Sequence, residues 1–293
     1  MKPAKALKKS ARVESAVLLE RSRDAILTQW KELLRLQRAV LDTSALDDIH
    51  DLRVASRRFR AVLGLFAPLT RAGSVAELKR SIRKLTRALG GLRNIDEALL
   101  FFRSQAQSEN TDDNRLCTLL PEMRTGELCR IHKVLEAFDH KHLERTVLEF
   151  AAGLSGGRMK GLKIHSLTAY FSGVSVKHFQ HINDLMAAAT VPEQRESRHA
   201  LRIAIKKWRY FFEIIAKVLE CDYGAVLGRL KEYQTVLGRM NDVAEFGLLC
   251  RSLELSPVES EHIEKILLAE DQLLLEKFTA LVELNPLRYT FSG

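Results

Sequence analysis

The sequence predicts an all-α protein in which two pseudo-symmetric helical bundles form one compact unit. Two observations support this fold class. A stretch that begins at His50 returns 149 residues later at His199, and apolar residues recur at helical spacing through nearly the whole chain. No run of alternating polar and apolar residues indicates a β-hairpin. We therefore expect two halves of about four to five helices each, over residues 10–152 and 162–285.

The helices of the first half are ended by proline, glycine and polar residues. Pro68 ends the helix that carries the repeated stretch, because the residue before a proline disfavours the helical conformation. Gly90 and Gly91 are expected to break the next helix, because glycine destabilises a helix interior. The predicted helices cover 12–41, 47–66, 75–89, a segment around 95–102 and, after a loop at 104–114, two segments ending near 138 and 151.

The second half follows a glycine-rich stretch, residues 153–163, which we expect to be the linker between the halves. Its helices repeat the order of the first half, with a predicted break at Gly238 in the place of Gly90. Ser256 and Pro257 indicate the start of the last helix, as an N-cap residue and a proline in the first turn. The predicted helices cover 164–190, 195–219, 223–238, a segment around 246–249 and a long final helix from 257.

The repeated stretch reads HDLRVASRRFRAVLGLF from His50 and HALRIAIKKWRYFFEII from His199. On a helix at 100° per residue its cations fall within a sector of roughly 80°, opposite the apolar side chains. Each copy is thus expected to bury one face, which holds Phe59 or Trp208, and to present a cationic stripe. The stripe holds His50, Arg53, Arg57 and Arg60 in the first copy, and His199, Arg202, Lys206 and Arg209 in the second.

Positive charge is in excess and is also sorted along the chain. The formal net charge is +9 with a pI near 9.4, which favours a polyanionic partner or an anionic surface. Between Leu52 and Arg93 there are eleven Lys or Arg and a single acid, Glu77. A solvated surface without a binding role would mix the two signs. We therefore expect the repeated helices and those that follow them to form one basic surface.

The apolar runs and the cysteines of the sequence indicate whether the protein spans a membrane, in which compartment it works and whether it binds a metal or a cofactor. No apolar run approaches the ~18–20 residues that a membrane span needs, so we expect none. The four cysteines form no CxxC pair, which is typical of a protein in the reducing cytoplasm. The other ligands that a zinc site would need lack the usual spacing, and the glycine-rich linker lacks the Gly-Lys-Ser/Thr of a nucleotide-binding loop. We expect neither a metal nor a cofactor.

The doubled pattern His-x-x-Arg-Val/Ile-x-x-Lys/Arg-Lys/Arg-x-Arg is specific. Each copy is followed by a Leu-Gly turn sequence, LGGLRNID from Leu89 and LGRMND from Leu237. Together these features resemble the CHAD family, the conserved histidine α-helical domain, over residues 10–285. The resemblance implies two helical bundles whose basic helices meet around a central cavity. It also implies binding of inorganic polyphosphate and, in some members, association with polyphosphate or polyester granules.

The site residues implied by this resemblance and by the cationic stripes come from both copies and from the helices after them. The second half is expected to contribute less charge, because Thr235 stands where the first half has Arg87 and Asn241 stands where it has Arg93. The predicted polyphosphate-binding residues are His50, Arg53, Arg57, Arg58, Arg60, Arg80, Arg83, Lys84, Arg87, Arg93, His199, Arg202, Lys206, Lys207, Arg209 and Lys231.

The chemistry of these side chains suits a polyphosphate chain, which carries about one charge per phosphate and has no base or sugar to recognise. Arginine binds phosphate oxygens through two parallel donors, and lysine acts as a point charge. For His50 and His199 three roles stay open. Each can donate to a phosphate oxygen, orient an arginine, or be a packed core residue.

Two alternative functions stay open at this stage. A nucleic-acid binder would show the same electrostatics, but it usually stacks bases on aromatic rings, and Phe59, Trp208, Phe211 and Phe212 fall mostly on apolar faces. A phosphohydrolase would need a metal site or a nucleophile beside the basic surface. Helix capping explains the nearest acids, Asp96 and Asp242, more simply. We expect a binding protein rather than an enzyme, with nucleic acid as the second candidate partner.

Overall fold

The computed structural model describes residues 3–70, 75–109, 115–154, 167–289 and 291, with side chains from residue 16 onward except those of 106–109 and 117. Within these residues the chain forms nine α-helices, a short 3-10 helix at Ala67–Leu69 and no β-strand. The predicted all-α class is therefore confirmed. The helices are α1 Pro3–Thr43, α2 Leu46–Phe66, α3 Val75–Glu109, α4 Leu116–Glu136, α5 His140–Ala152, α6 Leu167–Ala189, α7 Arg195–Leu219, α8 Gly224–Arg251 and α9 Pro257–Leu284.

Several helix ends lie where the sequence places them. The second motif helix, α7, has the predicted bounds and ends before Glu220, which takes a left-handed conformation with φ 52°. The last helix, α9, begins with the predicted Ser256 cap, whose side chain accepts from the Glu259 amide while Glu259 bonds back to the Ser256 amide. Local cap chemistry thus sets these ends. Of the predicted 104–114 loop, 104–109 are helical, whereas 110–114 and most of the predicted 153–163 linker lie outside the described residues.

The predicted breaks at Gly90, Gly91 and Gly238 are wrong, because α3 and α8 run through these positions. A Cβ on Gly91 would lie 2.8 Å from Oε2 of Glu127 on α4, so this glycine leaves room for the Glu127 side chain. A Cβ on Gly90 or Gly238 would meet nothing within 4 Å. The propensity cost of such a glycine is about 1 kcal/mol, which the packing of a long helix outweighs.

The two halves pack in the same way. In the first half, α2 lies between α1 and α3, and in the second half α7 lies between α6 and α8. The ring of Trp30 on α1 lies 5.4 Å from that of Phe59 on α2, and the ring of Phe179 on α6 lies 5.4 Å from that of Trp208 on α7. Both members of the second pair stand 149 residues after their counterparts. The equivalence of the halves therefore extends from the motif helices to the helices before them.

The halves join along the motif helices and the helices that follow them, through α2 with α7 and α3 with α8. Phe101 on α3 stacks on Phe246 on α8 at 5.3 Å, and both side chains are fully buried. The Tyr170 hydroxyl on α6 donates to the Leu65 carbonyl on α2 at 2.6 Å. One apolar core thus extends through both halves. Among the described helices, none is long and apolar enough to cross a membrane.

Candidate functional site

The motif helices bring Arg53 of α2 and Arg202 of α7 together at the junction of the halves. Each residue is only 9% exposed, and the Nε of each has no hydrogen-bond partner. Burial lowers the pKa of Arg53 to about 9, and repulsion from Arg57, Arg93 and Arg202 acts in the same direction. Burial also lowers the pKa of Arg202, although Asp242 opposes the shift. Equivalent cations of the two repeats are therefore held close together with little neutralisation.

Lys206 extends this cluster by one turn of α7. Burial lowers its pKa to about 6, and the charges of Arg202, Arg57 and Arg53 lower it further, against an opposing contribution from Asp242. Without a bound anion, the amine is therefore mostly uncharged at neutral pH. The same three cations would strongly attract an anion placed among them.

The cluster continues on the side of the first half. The pKa of Arg60 on α2 is lowered by burial first and then by the charges of Arg83, Arg57 and Arg87. Arg83 and Arg87 are exposed on α3, the helix after the motif. The predicted association between the motif cations and the cations of the following helix is thus present in the first half.

Several of these cations border one open depression, which we call the basic cleft. It has a volume of about 670 Å³ and lies between α2, α6 and α7. Its lining includes no Asp or Glu among the described residues, whereas apolar and aromatic side chains such as Val174, Tyr170 and Phe211 form the remaining wall. The cationic lining residues are Arg57, Arg60, Arg202, Lys206 and Lys207, with His178 and His199 beside them.

The two motif histidines are both exposed, which excludes the packed-core interpretation. His199 lines the basic cleft, and its Nδ1 lies 2.6 Å from Oδ1 of Asn241 on α8. An amide oxygen accepts hydrogen bonds, so this contact assigns the proton to Nδ1. His50 occupies the equivalent position on α2 but does not line the basic cleft. The second half also supplies three of the five cations of the cleft, so the expectation that the first half contributes more charge does not describe this cleft.

Three predicted site residues form ion pairs with acidic side chains. Nε of Arg58 donates to Oε2 of Glu213 at 2.9 Å, and Nε of Arg209 lies 3.0 Å from Oε1 of the same carboxylate in an ion pair that lacks hydrogen-bond geometry. Arg93 contacts Glu97 at 2.9 Å within α3 and reaches Asp242 of the other half at 3.4 Å. These guanidinium groups are therefore partly neutralised in the unbound protein.

Three further predicted residues lie away from the basic cleft. Lys84 lines a separate depression of about 220 Å³ beside His142 and Asp139. Arg80 is exposed on α3, and Lys231 is exposed on α8. The sequence could not show which surface these exposed cations occupy, because that depends on how α4, α5 and α9 pack against α3 and α8.

Sequence reasoning missed the acids and the α6 residues of the site. Asp242 is the buried carboxylate whose charge acts on Arg53, Arg202 and Lys206, and the sequence pattern assigns it only a capping role. Burial lowers the pKa of His178, on the α6 wall, to about 4, with the charges of Lys207 and His181 contributing. No group of three or more His, Cys, Asp or Glu in the described part of the chain could hold a metal ion.

Comparison with known proteins finds a matching family profile and solved structures with a similar fold. The family profile described as the CHAD domain matches residues 24–250. The fold is similar to the crystal structure of the CHAD domain from the plant Ricinus communis, with a TM-score of 0.70, 22% identity and 92% of each chain covered. It is also similar to PptA from Streptomyces chartreusis, with a TM-score of 0.66, 17% identity, and 92% of this chain and 99% of that chain covered. No curated protein matches the chain.

Proposed function

Because the chain belongs to the CHAD domain family, we propose that it binds inorganic polyphosphate at the basic cleft and the buried cations beside it. One observation carries the proposal. Burial and the charges of neighbouring cations, including Arg57, lower the pKa of Arg53, Arg202 and Lys206, and the carboxylates of Asp242 and, for Arg202, Glu245 oppose these shifts only in part. Such an arrangement costs stability in the unbound protein, and a bound polyanion would relieve the repulsion.

The shape of the cationic region suits a linear chain of phosphates. Basic side chains continue from Arg83 and Arg87 on α3, through Arg60 and Arg57 on α2, to Lys206 on α7, whose amine a bound anion would help to protonate. Consecutive phosphates could therefore contact donors from three helices and from both halves. Arginine dominates this path, as expected for forked recognition of phosphate oxygens.

Nucleic acid is the less favoured partner because the aromatic side chains of the two motif helices are buried and not available for stacking. Phe59, Trp208 and Phe212 are fully buried, and Phe211 is 3% exposed. Single-stranded nucleic acids usually stack their bases on exposed rings, each worth about 1–3 kcal/mol. Without that contribution, DNA of equal charge should bind more weakly than polyphosphate.

We expect the protein to bind polyphosphate without hydrolysing it. Its location in the cell should then follow the location of polyphosphate. A protein that holds polyphosphate chains would collect in the cytoplasm where polyphosphate granules form. The acids near the cluster serve in ion pairs, since Asp96 accepts from Arg124 at 2.7 Å and Asp242 faces Arg93. We therefore expect no release of orthophosphate from polyphosphate in the presence of Mg²⁺.

The test compares Arg57→Ala/Lys206→Ala with the native protein in titrations with long-chain polyphosphate. Each charge-assisted bond is worth about 1.5–3 kcal/mol, so affinity should fall by about two to four orders of magnitude, at about 1.4 kcal/mol per tenfold. Arg145→Ala, which removes an exposed cation on α5, should bind like the native protein. Native affinity should also decrease steeply with salt and exceed that for DNA of equal charge. Unchanged affinity in the double variant, or equal affinity for DNA, would contradict the proposal.

A further inference from the structure

The internal repeat creates two equivalent clefts, one on each side of the paired motif helices. The second, which we call the Glu213 cleft, has a volume of about 620 Å³ and lies between α1, α2 and α7. Eight of its lining residues stand 149 positions from lining residues of the basic cleft. The equivalent pairs are Arg21 and Tyr170, Ala25 and Val174, Gln29 and His178, Arg58 and Lys207, Val62 and Phe211, Ala61 and Tyr210, Gly64 and Glu213, and Leu65 and Ile214.

One of these pairs places a carboxylate in one cleft and a glycine in the other. Glu213 extends between two cations, with its Oε2 2.9 Å from Nε of Arg58 and its Oε1 3.0 Å from Nε of Arg209. The equivalent position in the basic cleft is Gly64, where an added Cβ would meet nothing within 4 Å. The cations equivalent to Arg58 and Arg209 are Lys207 and Arg60, which both line the basic cleft.

The two clefts therefore differ in charge although they share their architecture. The basic cleft is lined by five Lys or Arg and by no acid. The Glu213 cleft is lined by three cations, Arg21, Arg58 and Lys217, and by two acids, Asp24 and Glu213. Arg21 is itself paired with Glu220 at 2.6 Å. An anion that enters the Glu213 cleft would find both arginines of the cleft, Arg21 and Arg58, already paired with carboxylates.

We infer that the protein has one anion site rather than two, and that Glu213 is a built-in anion which fills the second. A carboxylate and a phosphate both present oxygens to guanidinium donors, so the Glu213 carboxylate shows where a phosphate group lies in the basic cleft. That place is the open space beside Gly64, between Arg60 and Lys207. The inference rests on the proposed function and deepens it, because it assigns condensed phosphates to one of two equivalent surfaces.

The experiment measures stoichiometry and affinity by calorimetry with inorganic tripolyphosphate, which is short enough to occupy one cleft. The native protein should bind one equivalent. Gly64→Glu should weaken binding at least tenfold, because its carboxylate would pair with the cleft cations as Glu213 does. Gly64→Gln has the same size without the charge and should bind within about threefold of the native protein. Glu213→Gln should gain a second, weaker equivalent, because Arg58 and Arg209 lose their carboxylate.

Two controls separate this inference from the function on which it rests. Gly126→Glu places the same charge on α4, at a helical glycine that also faces open space, and should leave binding unchanged. Two equivalents in the native protein, or equal affinity in Gly64→Glu and Gly64→Gln, would overturn the inference and leave polyphosphate binding intact. Failure of the native protein to bind either tripolyphosphate or long-chain polyphosphate would overturn the function itself. If Glu213→Gln does not fold, the comparison of Gly64→Glu with Gly64→Gln is sufficient to test the inference.

Discussion

At the scale of single residues, the buried cations explain why the repeated motif is not a simple surface stripe. Arg53 and Arg202 lie on the predicted cationic face, yet the contact between α2 and α7 buries both. A buried charge without a close partner destabilises the folded state, since its hydration is lost. The protein keeps two such charges at equivalent positions of its repeat. A role in holding a polyanion accounts for that cost better than packing does.

Lys206 provides a prediction about pH. Its pKa is about 6 in the folded protein and 10.5 ordinarily, so between these values the unfolded chain binds more protons. The destabilisation caused by Lys206 is therefore fully present below pH 6 and decreases as the pH rises from 6 toward 10.5. Lys206→Met should raise the melting temperature more at pH 6 than at pH 9. Lys207→Met, at the exposed neighbouring position, should show no such difference, and equal gains for Lys206→Met at both pH values would contradict the assignment.

The sequence identifies the cations of the site but not their electrostatic state. Spacing alone places Arg57 and Arg60 on the cationic face of α2 and Lys206 on that of α7. In the structure all three line the basic cleft. The predicted site also includes Arg58 and Arg209, which Glu213 of the second repeat partly neutralises. Arg209 and Glu213 stand four residues apart on α7, whereas the pairing of Arg58 with Glu213 depends on the crossing of α2 and α7. Helical periodicity describes one helix at a time, so it cannot predict an ion pair between two helices.

At the scale of helices, nearby residues predict a helix end correctly where one local interaction determines it. They predict it wrongly where packing against other helices determines it. The bounds of α7 and the Ser256 cap of α9 are predicted correctly because they depend on nearby residues. The predicted breaks in α3 and α8 are wrong because contacts along the whole helix outweigh one or two glycines. α3 packs against α2, α4, α5 and α8, and none of these contacts is visible in a local sequence window.

Two adjacent glycines of α3 give a matched prediction about this packing. Gly90→Ala should raise the free energy of unfolding by about 0.8–1 kcal/mol, because alanine favours the helix and its Cβ meets nothing within 4 Å. Gly91→Ala should gain clearly less, because its Cβ would lie 2.8 Å from Oε2 of Glu127 and displace that side chain from Arg130. Urea denaturation measures both variants. An equal gain at the two positions would show that the Glu127 side chain can move aside without cost.

At the scale of the whole molecule, the repeat produces one unit rather than two independent domains. The basic cleft takes its cations from α2 and α7, so neither half contains the site alone. Polar contacts also cross the junction, including the pair of Arg93 with Asp242 and the bond from Asn94 to Glu245 at 3.0 Å. Sequence analysis could find the repeat from its motif. It could not show that equivalent clefts acquire different charges, because that difference becomes visible only when the halves are superposed.

This shared core predicts that the two halves unfold together. Calorimetry should show a single transition, because separating the halves would expose Phe101 and Phe246, which are at most 1% exposed when stacked. Phe246→Ala should destabilise the protein by about 3–5 kcal/mol, as is usual for a buried phenylalanine. It should still unfold in one transition, at a lower temperature. Leu248→Ala, which truncates an exposed side chain two residues further along α8, should leave the melting temperature nearly unchanged. Two separate transitions in the native protein would show that each half is stable alone, and the junction would then contribute binding residues without contributing to folding.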